Sequence, residues 1–258
     1  MMFDALEYEL NEGVATLTLN RPKVKNALNG QMRAEITHAV KKAGTEARVV
    51  VLTGAGNAFC SGQDLGDGSS AAQLDLERTL RDEYVPMLRA IIECPVPTVA
   101  AVNGVAAGAG ANLALVADVV IASQKAAFVQ AFTRIGLIPD AGGTYYLPRQ
   151  MGLAKAMGAA LFGESISAQQ ASDWGMIWEA VSDAKFDAHW RARAAHLAKG
   201  PTVAYEHLKS ALRASFGNDL ETQLGLEASL QGACGETRDF KEGVLSFLEK
   251  RAAKFEGR

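Results

Sequence analysis

The chain has 258 residues, 48% of them hydrophobic and 21% charged, which is enough apolar material for a large buried core and unlike a disordered segment. A formal net charge of -3 provides no general basic field, which argues against nucleic acid or an anionic membrane surface as a partner; anionic small molecules at local sites stay open. Cys60, Cys94 and Cys234 have neither C-x-x-C nor metal-ligand spacing, the N-terminus lacks the pattern of a secretion signal, and no apolar stretch approaches a membrane span, so the expectation is a soluble, cytoplasmic protein without a metal site.

Taken in chain order, Glu7-Tyr8-Glu9-Leu10 and Val14-Ala15-Thr16-Leu17-Thr18-Leu19 flank Asn11-Glu12-Gly13 and predict a hairpin. A helix is expected from about Asn29 to Lys42, then a buried strand at Val49-Val50-Val51-Leu52 that enters a glycine turn. Helical spacing returns from about Ala71 to Ile92, carried by Leu74, Leu76, Leu80, Tyr84, Leu88 and Ile91, with Pro86 predicting a kink or break. Thr98-Val99-Ala100-Ala101-Val102 reads as the next strand, followed by a glycine-rich turn, a helix and the strand Asp118-Val119-Val120-Ile121-Ala122. From Ala131 onward the pattern is largely helical apart from the apolar run Met176 to Val181. Gly66-Asp67-Gly68-Ser69-Ser70 reads as a mobile loop. The overall expectation is α/β, with a core over 1–195 and a helical C-terminal region over 196–258.

Two stretches, Ala58 to Leu65 and Gly104 to Gly110, follow buried strands and place small residues where backbone can approach a ligand. Converging N–H groups there would make an oxyanion hole, and the second turn adds the positive end of a helix dipole. Glycine turns of this kind also serve packing or phosphate binding. Neither has the spacing of a nucleoside triphosphate or dinucleotide loop.

Asn20-Arg21-Pro22, Asn26-Ala27-Leu28-Asn29, Phe59 to Leu65, Ala101-Val102-Asn103-Gly104, Ile138-Pro139-Asp140-Ala141-Gly142-Gly143-Thr144 and Phe240 to Arg251 follow one another as in the crotonase (enoyl-CoA hydratase/isomerase) superfamily, which the chain resembles over nearly its whole length. The resemblance implies a ClpP/crotonase-like spiral of ββα units with a helical C-terminal trimerisation region. It implies an acyl-CoA substrate, no separate cofactor because coenzyme A belongs to the substrate, and a homotrimer or dimer of trimers. Carried over residue by residue, the backbone N–H groups of Gln63 and Ala109 become the oxyanion hole for a thioester carbonyl, with their side chains secondary. Lys25, Ala27, Asp64 and Leu65 fall around the nucleotide and pantetheine, and Phe247 and Lys250 match positions that in relatives reach a neighbouring subunit's coenzyme A.

The resemblance also places hydratase glutamates at the positions of Asn112 and Phe132, neither of which can transfer a proton as a carboxylate. Asp140 is the remaining carboxylate in motif context, and a single one suits an isomerase, which takes a proton from one carbon and returns it to another. An apolar pocket would raise its pKa. Pro139-Asp140 also reads as an N-cap for a helix beginning at Ala141. Val129 to Phe132, Gly136 to Asp140 and Trp174 to Trp178 resemble the branch that isomerises the ring epoxide of phenylacetyl-CoA to an oxepin-CoA, and the same resemblance implies migration of a β,γ double bond in ordinary enoyl-CoA esters. Phe132 reads either as core or as an aromatic wall for the substrate, Lys25 as a solvated lysine or a phosphate contact, and Cys60 as packing or a nucleophile without an evident base. The apolar spacing of the C-terminal helices suits packing on another subunit or on their own core.

Overall fold

The structure, a computed structural model, describes residues 3–66 and 75–258. The expected hairpin is present: β1 (Leu6–Asn11) and β2 (Val14–Leu19) pair antiparallel across Glu12 and Gly13, whose φ values of 48° and 79° give the primed turn that matches strand twist. Helix α1 (Gly30–Glu46) starts at the Asn29 N-cap, whose Oδ1 accepts from the Met32 N–H at 2.9 Å.

Strands β3 (Val49–Gly54), β5 (Thr98–Val102), β7 (Val119–Ser123) and β10 (Glu179–Val181) continue the hairpin as parallel neighbours in a six-stranded sheet ordered β1-β2-β3-β5-β7-β10. The unbroken apolar run Val49 to Leu52 follows from burial on both faces. Val50 and Leu52 face the main core, while Val49 and Val51 face Phe186, Trp190 and Ala194 of α8 (Asp183–Ala198). That helix covers the sheet, so the core side of the chain runs to Ala198, past the expected division at residue 195.

The shorter strands β4 (Ala58–Cys60), β6 (Val105–Ala107), β8 (Ala127–Val129) and β9 (Ser165–Ser167) form a second, four-stranded sheet. The chain steps from large sheet to small at β3 to β4, β5 to β6 and β7 to β8, which gives the repeated ββα rise of the expected spiral. Two glycines let the turns between these strands fold tightly: a Cβ on Gly54 would lie 2.2 Å from the Ala58 carbonyl oxygen, and one on Gly104 would lie 2.1 Å from that of Asn57. Sequence reading took Ala58 to Cys60 and Val105 to Ala107 as parts of glycine turns and did not find β8 or β9, because three residues are too few to display an alternating period.

The break expected at Pro86 takes the form of a π turn, Leu80–Tyr84, between α2 (Leu76–Thr79) and α3 (Val85–Ile92), with Pro86 in the first turn of α3. Residues 71–74 of that expected helix, and Asp67 to Ser70 of the expected mobile loop, lie outside the described residues. Beyond α4 (Ala109–Leu115) and a 3₁₀ turn at Ala131–Ile135 come α5 (Gly143–Met151), α6 (Leu153–Phe162) and α7 (Ala168–Asp173), then the C-terminal helices α9 (Thr202–Ala214), α10 (Leu220–Gly235) and α11 (Arg238–Glu249).

Helix α9 is tied to its own core by ions: Lys209 and Arg213 pair with Asp118 at 2.8 and 2.7 Å. Its apolar side chains, with those of α10 and α11, instead line an open groove of about 1070 Å³. Among the described residues no helix is long and apolar enough to cross a membrane.

Candidate active site

The loop after β3 is clipped in place by a buried asparagine. Lys25 and Asn26 adopt left-handed φ values of 52° and 57°, and Asn26 Nδ2 donates to the Ala55, Ala58 and Phe59 carbonyls at 3.0, 2.9 and 3.2 Å. Arg21 donates from Nη1 to the Ala27 carbonyl and to Asp64 Oδ2, both at 2.7 Å. Ser61 N–H donates to the Lys25 carbonyl at 2.9 Å. These contacts fasten the segment from Arg21 to Leu28 against the one from Ala58 to Asp64.

Leu28 pairs with Gln63 as an isolated parallel bridge, made by Leu28 N–H to the Gly62 carbonyl at 2.8 Å and Asp64 N–H to the Leu28 carbonyl at 3.2 Å. In that register the Gln63 N–H points away from Leu28. Ala109 is the first residue of α4, where no intrahelical acceptor exists for its N–H. Among the described residues neither N–H donates to a loop or cap carbonyl. The two segments touch: a Cβ on Gly62 would lie 2.7 Å from the Ala107 oxygen and 3.4 Å from the Ala109 nitrogen, and one on Gly110 would lie 2.3 Å from the Cys60 oxygen. Gly62 and Gly108, at φ 93° and 53°, supply the conformations this approach needs.

One turn along α4, the fully buried Asn112 donates from Nδ2 to the Asp140 carbonyl at 2.7 Å and accepts on Oδ1 from Gln130 Nε2 at 2.9 Å. Asp140 does not cap a helix at Ala141. Ala141 and Gly142 take left-handed φ values of 48° and 84°, and α5 begins at Gly143 with Gly142 at its N-cap. That turn leaves the Asp140 carboxylate free, and its Oδ1 is buried without a hydrogen-bond partner among the described residues. Burial disfavours the ionised form and pushes the pKa up to about 6, opposed only by its own backbone N–H. The group is thereby poised to exchange protons near neutrality.

The segments that carry Gln63 and Ala109 thus meet, Asn112 ties the Asp140 backbone to the helix that Ala109 opens, and Phe132 is buried beside Gly108. The arrangement pairs unassigned N–H donors with a desolvated carboxylate, the parts needed to stabilise a developing oxyanion and to move a proton next to it. Lys25 and Leu65 are exposed at the outer edge of the fastened segments, Ala27 is buried between them, and the Asp64 carboxylate is engaged by Arg21 and by the Gly66 N–H at 3.0 Å. Phe247 and Lys250 stand apart at the end of α11: Phe247 lines the C-terminal groove, whose lining includes none of Gln63, Ala109 and Asp140. Cys60 is fully buried, which drives its thiol up to about 12 and suits packing. His38, His189, His196 and His207 lie on helices, and His189 pairs with Glu179 at 2.7 Å.

Sequence reading missed four side chains here. In the sequence Asn112 reads only as a lost glutamate, Gln130 only as part of the Val129 to Phe132 resemblance, and Arg33 and Tyr84 only as helix positions; the last two bond the Gln63 side chain, which the resemblance makes secondary.

The described residues contain no cluster of His, Cys, Asp and Glu suited to a metal ion. The chain matches the Enoyl-CoA hydratase/isomerase family model over residues 9–258. Over the full length of both chains it is 61% identical to a probable enoyl-CoA hydratase of Rhodobacter capsulatus and 44% identical to the 1,2-epoxyphenylacetyl-CoA isomerase of Escherichia coli. An enoyl-CoA hydratase from Polaromonas has the same fold, with a TM-score of 0.92 at 30% identity, covering 98% of this chain and 100% of that one. Stepped sheets, clipped loops and full-length similarity agree: the chain belongs to the enoyl-CoA hydratase/isomerase family of the crotonase superfamily, enzymes that act on acyl-CoA thioesters.

Proposed function

We propose that this enzyme is an acyl-CoA isomerase in which Asp140 moves the proton and the Gln63 and Ala109 N–H groups hold the thioester oxyanion. The observation that carries this reading is the buried Asp140 Oδ1, left without a partner among the described residues, with Asn112 tying the Asp140 backbone to the helix that Ala109 opens. In a 3-enoyl-CoA, the carboxylate takes a proton from C2, negative charge passes to the thioester oxygen, and the same proton returns at C4 as the double bond moves into conjugation. Each oxyanion donor contributes about 3 kcal/mol to the transition state.

The 44% identity to the 1,2-epoxyphenylacetyl-CoA isomerase favours the ring epoxide of phenylacetyl-CoA as the principal substrate. There Asp140 takes the α proton, the enolate forms in the hole, electron return opens the strained ring toward the seven-membered oxepin, and a proton given back at a ring carbon completes the isomerisation. Phe132 is proposed as an aromatic wall for that ring. Lys25, Ala27, Asp64 and Leu65 are proposed to meet the nucleotide and pantetheine, with Phe247 and Lys250 reaching a neighbour's coenzyme A in a homotrimer or dimer of trimers.

The 61% identity to a probable enoyl-CoA hydratase favours hydration as the second reading. Against it stand Asn112, whose amide accepts from Gln130 and donates to the Asp140 carbonyl and cannot act as a carboxylate, and Phe132, which has no ionisable group. The test is conversion of a 3-enoyl-CoA to the conjugated 2-enoyl-CoA by ultraviolet absorbance, beside folded Asp140→Asn and beside hydration of a 2-enoyl-CoA. Isomerisation abolished in the variant, with negligible hydration, supports the proposal. Equal isomerisation in both removes Asp140 from the mechanism, and rapid hydration by the wild type gives the second reading.

A further inference from the structure

The Gln63 side chain has no part in the oxyanion scheme, yet its amide is held on three sides. Oε1 accepts from Arg33 Nη1 at 2.9 Å and from the Tyr84 hydroxyl at 2.7 Å, and Nε2 donates to the Asp64 carbonyl at 3.3 Å. Two donors saturate the amide oxygen. Both donors are deeply buried, Arg33 at 4% exposure and Tyr84 at 2%.

A guanidinium is taken out of water only at a cost that its partners must offset. Arg33 is met on every side: Nε and Nη2 donate to Glu83 Oε2 at 2.9 and 2.6 Å, Nη1 also donates to the Leu28 carbonyl at 2.6 Å, and the group sits 4.8 Å from the Tyr84 ring centroid. Leu28 is the bridge partner of Gln63, so one guanidinium fixes both sides of that bridge. Glu83 and Tyr84 are adjacent residues that serve this one cluster. Both lie at the end of the π turn Leu80–Tyr84 that precedes Pro86.

We infer that Arg33 and Tyr84 are positioning residues, which fix the Gln63 side chain and through it aim the Gln63 N–H at the substrate oxygen. This rests on the reading of that N–H as an oxyanion donor. The Tyr84 hydroxyl donates to Gln63, and burial holds its pKa above the ordinary tyrosine value.

The test uses Tyr84→Phe, which keeps the ring, Gln63→Leu, which keeps the backbone N–H and deletes the amide, and the double variant. Each is assayed for 3-hexenoyl-CoA isomerisation and, by difference infrared spectroscopy, for the carbonyl stretch of bound hexanoyl-CoA, which can be neither isomerised nor hydrated. The expected result is a kcat for Tyr84→Phe lowered about tenfold with KM within about twofold, as loss of one oriented hydrogen bond gives. The bound carbonyl, polarised to lower wavenumber by the wild type, shifts back toward its free value, and the double variant is no slower than Gln63→Leu alone. Wild-type kcat and carbonyl stretch in Tyr84→Phe overturn the inference and leave the hole standing. Losses that multiply in the double variant also overturn it, because Tyr84 would then act independently of Gln63. An unpolarised carbonyl in the wild type removes the hole and the inference together.

Discussion

Asn112 Nδ2 lies 2.7 Å from the Asp140 carbonyl oxygen, so this fully buried side chain holds the backbone of the proposed acid/base. The bond restrains a turn in which Ala141 has φ 48°, a left-handed conformation that costs a non-glycine residue about 1 kcal/mol or more. Asn112→Asp keeps the shape but turns an acceptor toward that carbonyl. We expect kcat to fall about 100-fold and stability by roughly 1–3 kcal/mol. The added negative charge near Asp140 should also move the acid limb of the kcat/KM profile to higher pH. A stability loss with an unmoved acid limb would assign Asn112 to packing alone.

Asn112→Glu should fail to create a hydratase. A Cβ on Gly143 would already lie 2.4 Å from Asn112 Nδ2, so the space beside this side chain is filled. An extra methylene in such packing costs about 1–3 kcal/mol. Hydration of a 2-enoyl-CoA by the variant at a rate near that of wild-type isomerisation would show that the space is available after all.

Asp140 should trade stability for activity. Its folded pKa, near 6, lies above the unfolded value of about 3.9, so the folded state binds the proton more tightly than the unfolded one. The cost of ionising it is absent below the unfolded pKa, grows between about pH 4 and 6, and is complete above that. Allowing for partial solvent contact, Asp140→Asn should be more stable than wild type by roughly 1–2 kcal/mol at pH 7.5 and equal to it near pH 3.5. Denaturant unfolding at the two pH values measures this. In the wild type kcat should fall below about pH 6, where the base is protonated. A flat profile down to pH 5 would mean that another group takes the proton.

Much of the fold was legible because long buried strands advertise themselves. Val49 to Leu52 and Thr98 to Val102 are continuous apolar runs bounded by glycine turns, and both are central strands. The small sheet was hidden because its strands are three residues long, and its position is set by backbone approaches at Gly54 and Gly104 rather than by side-chain pattern. The stretch from Asn20 to Asn29 holds two of the six motifs that together carry the family resemblance, yet its Arg21, Asn26 and Asn29 are mechanical parts: a clip on Ala27 and Asp64, a clip on the loop after β3, and a helix cap. Arg33 and Tyr84 were invisible because hydrogen bonds between residues some 20 to 50 positions apart have no local signature; Arg33 reaches Gln63 across 30 positions and Glu83 across 50.

Phe132→Ala separates the two roles open to that residue. If the ring faces the substrate, turnover of the phenylacetyl-CoA ring epoxide should fall at least tenfold more than that of 3-hexenoyl-CoA, because the aromatic substrate loses an aromatic contact and the aliphatic one loses little. If the ring, only 6% exposed, is core alone, both rates should fall together, with a stability loss of about 3–5 kcal/mol.

Phe247 and Leu248, at the end of α11, are 82% and 71% exposed in the single chain, and Leu212 and Leu220 on the C-terminal helices and Phe216 in the turn between α9 and α10 are also exposed. Apolar surface on this scale is what subunit association covers. Replacing Leu248 by Glu would place a charge in that contact while touching little inside its own chain, so the monomer should keep its intrinsic stability to within about 0.5 kcal/mol. Sedimentation velocity should then show the wild type as a trimer or larger and Leu248→Glu shifted toward monomer. If Phe247 also meets a neighbour's coenzyme A, Phe247→Ala should raise KM for the CoA ester about tenfold with kcat little changed, since binding is lost equally from ground and transition states. An unchanged assembly in Leu248→Glu would put the subunit contact elsewhere and leave the C-terminal groove open for another partner.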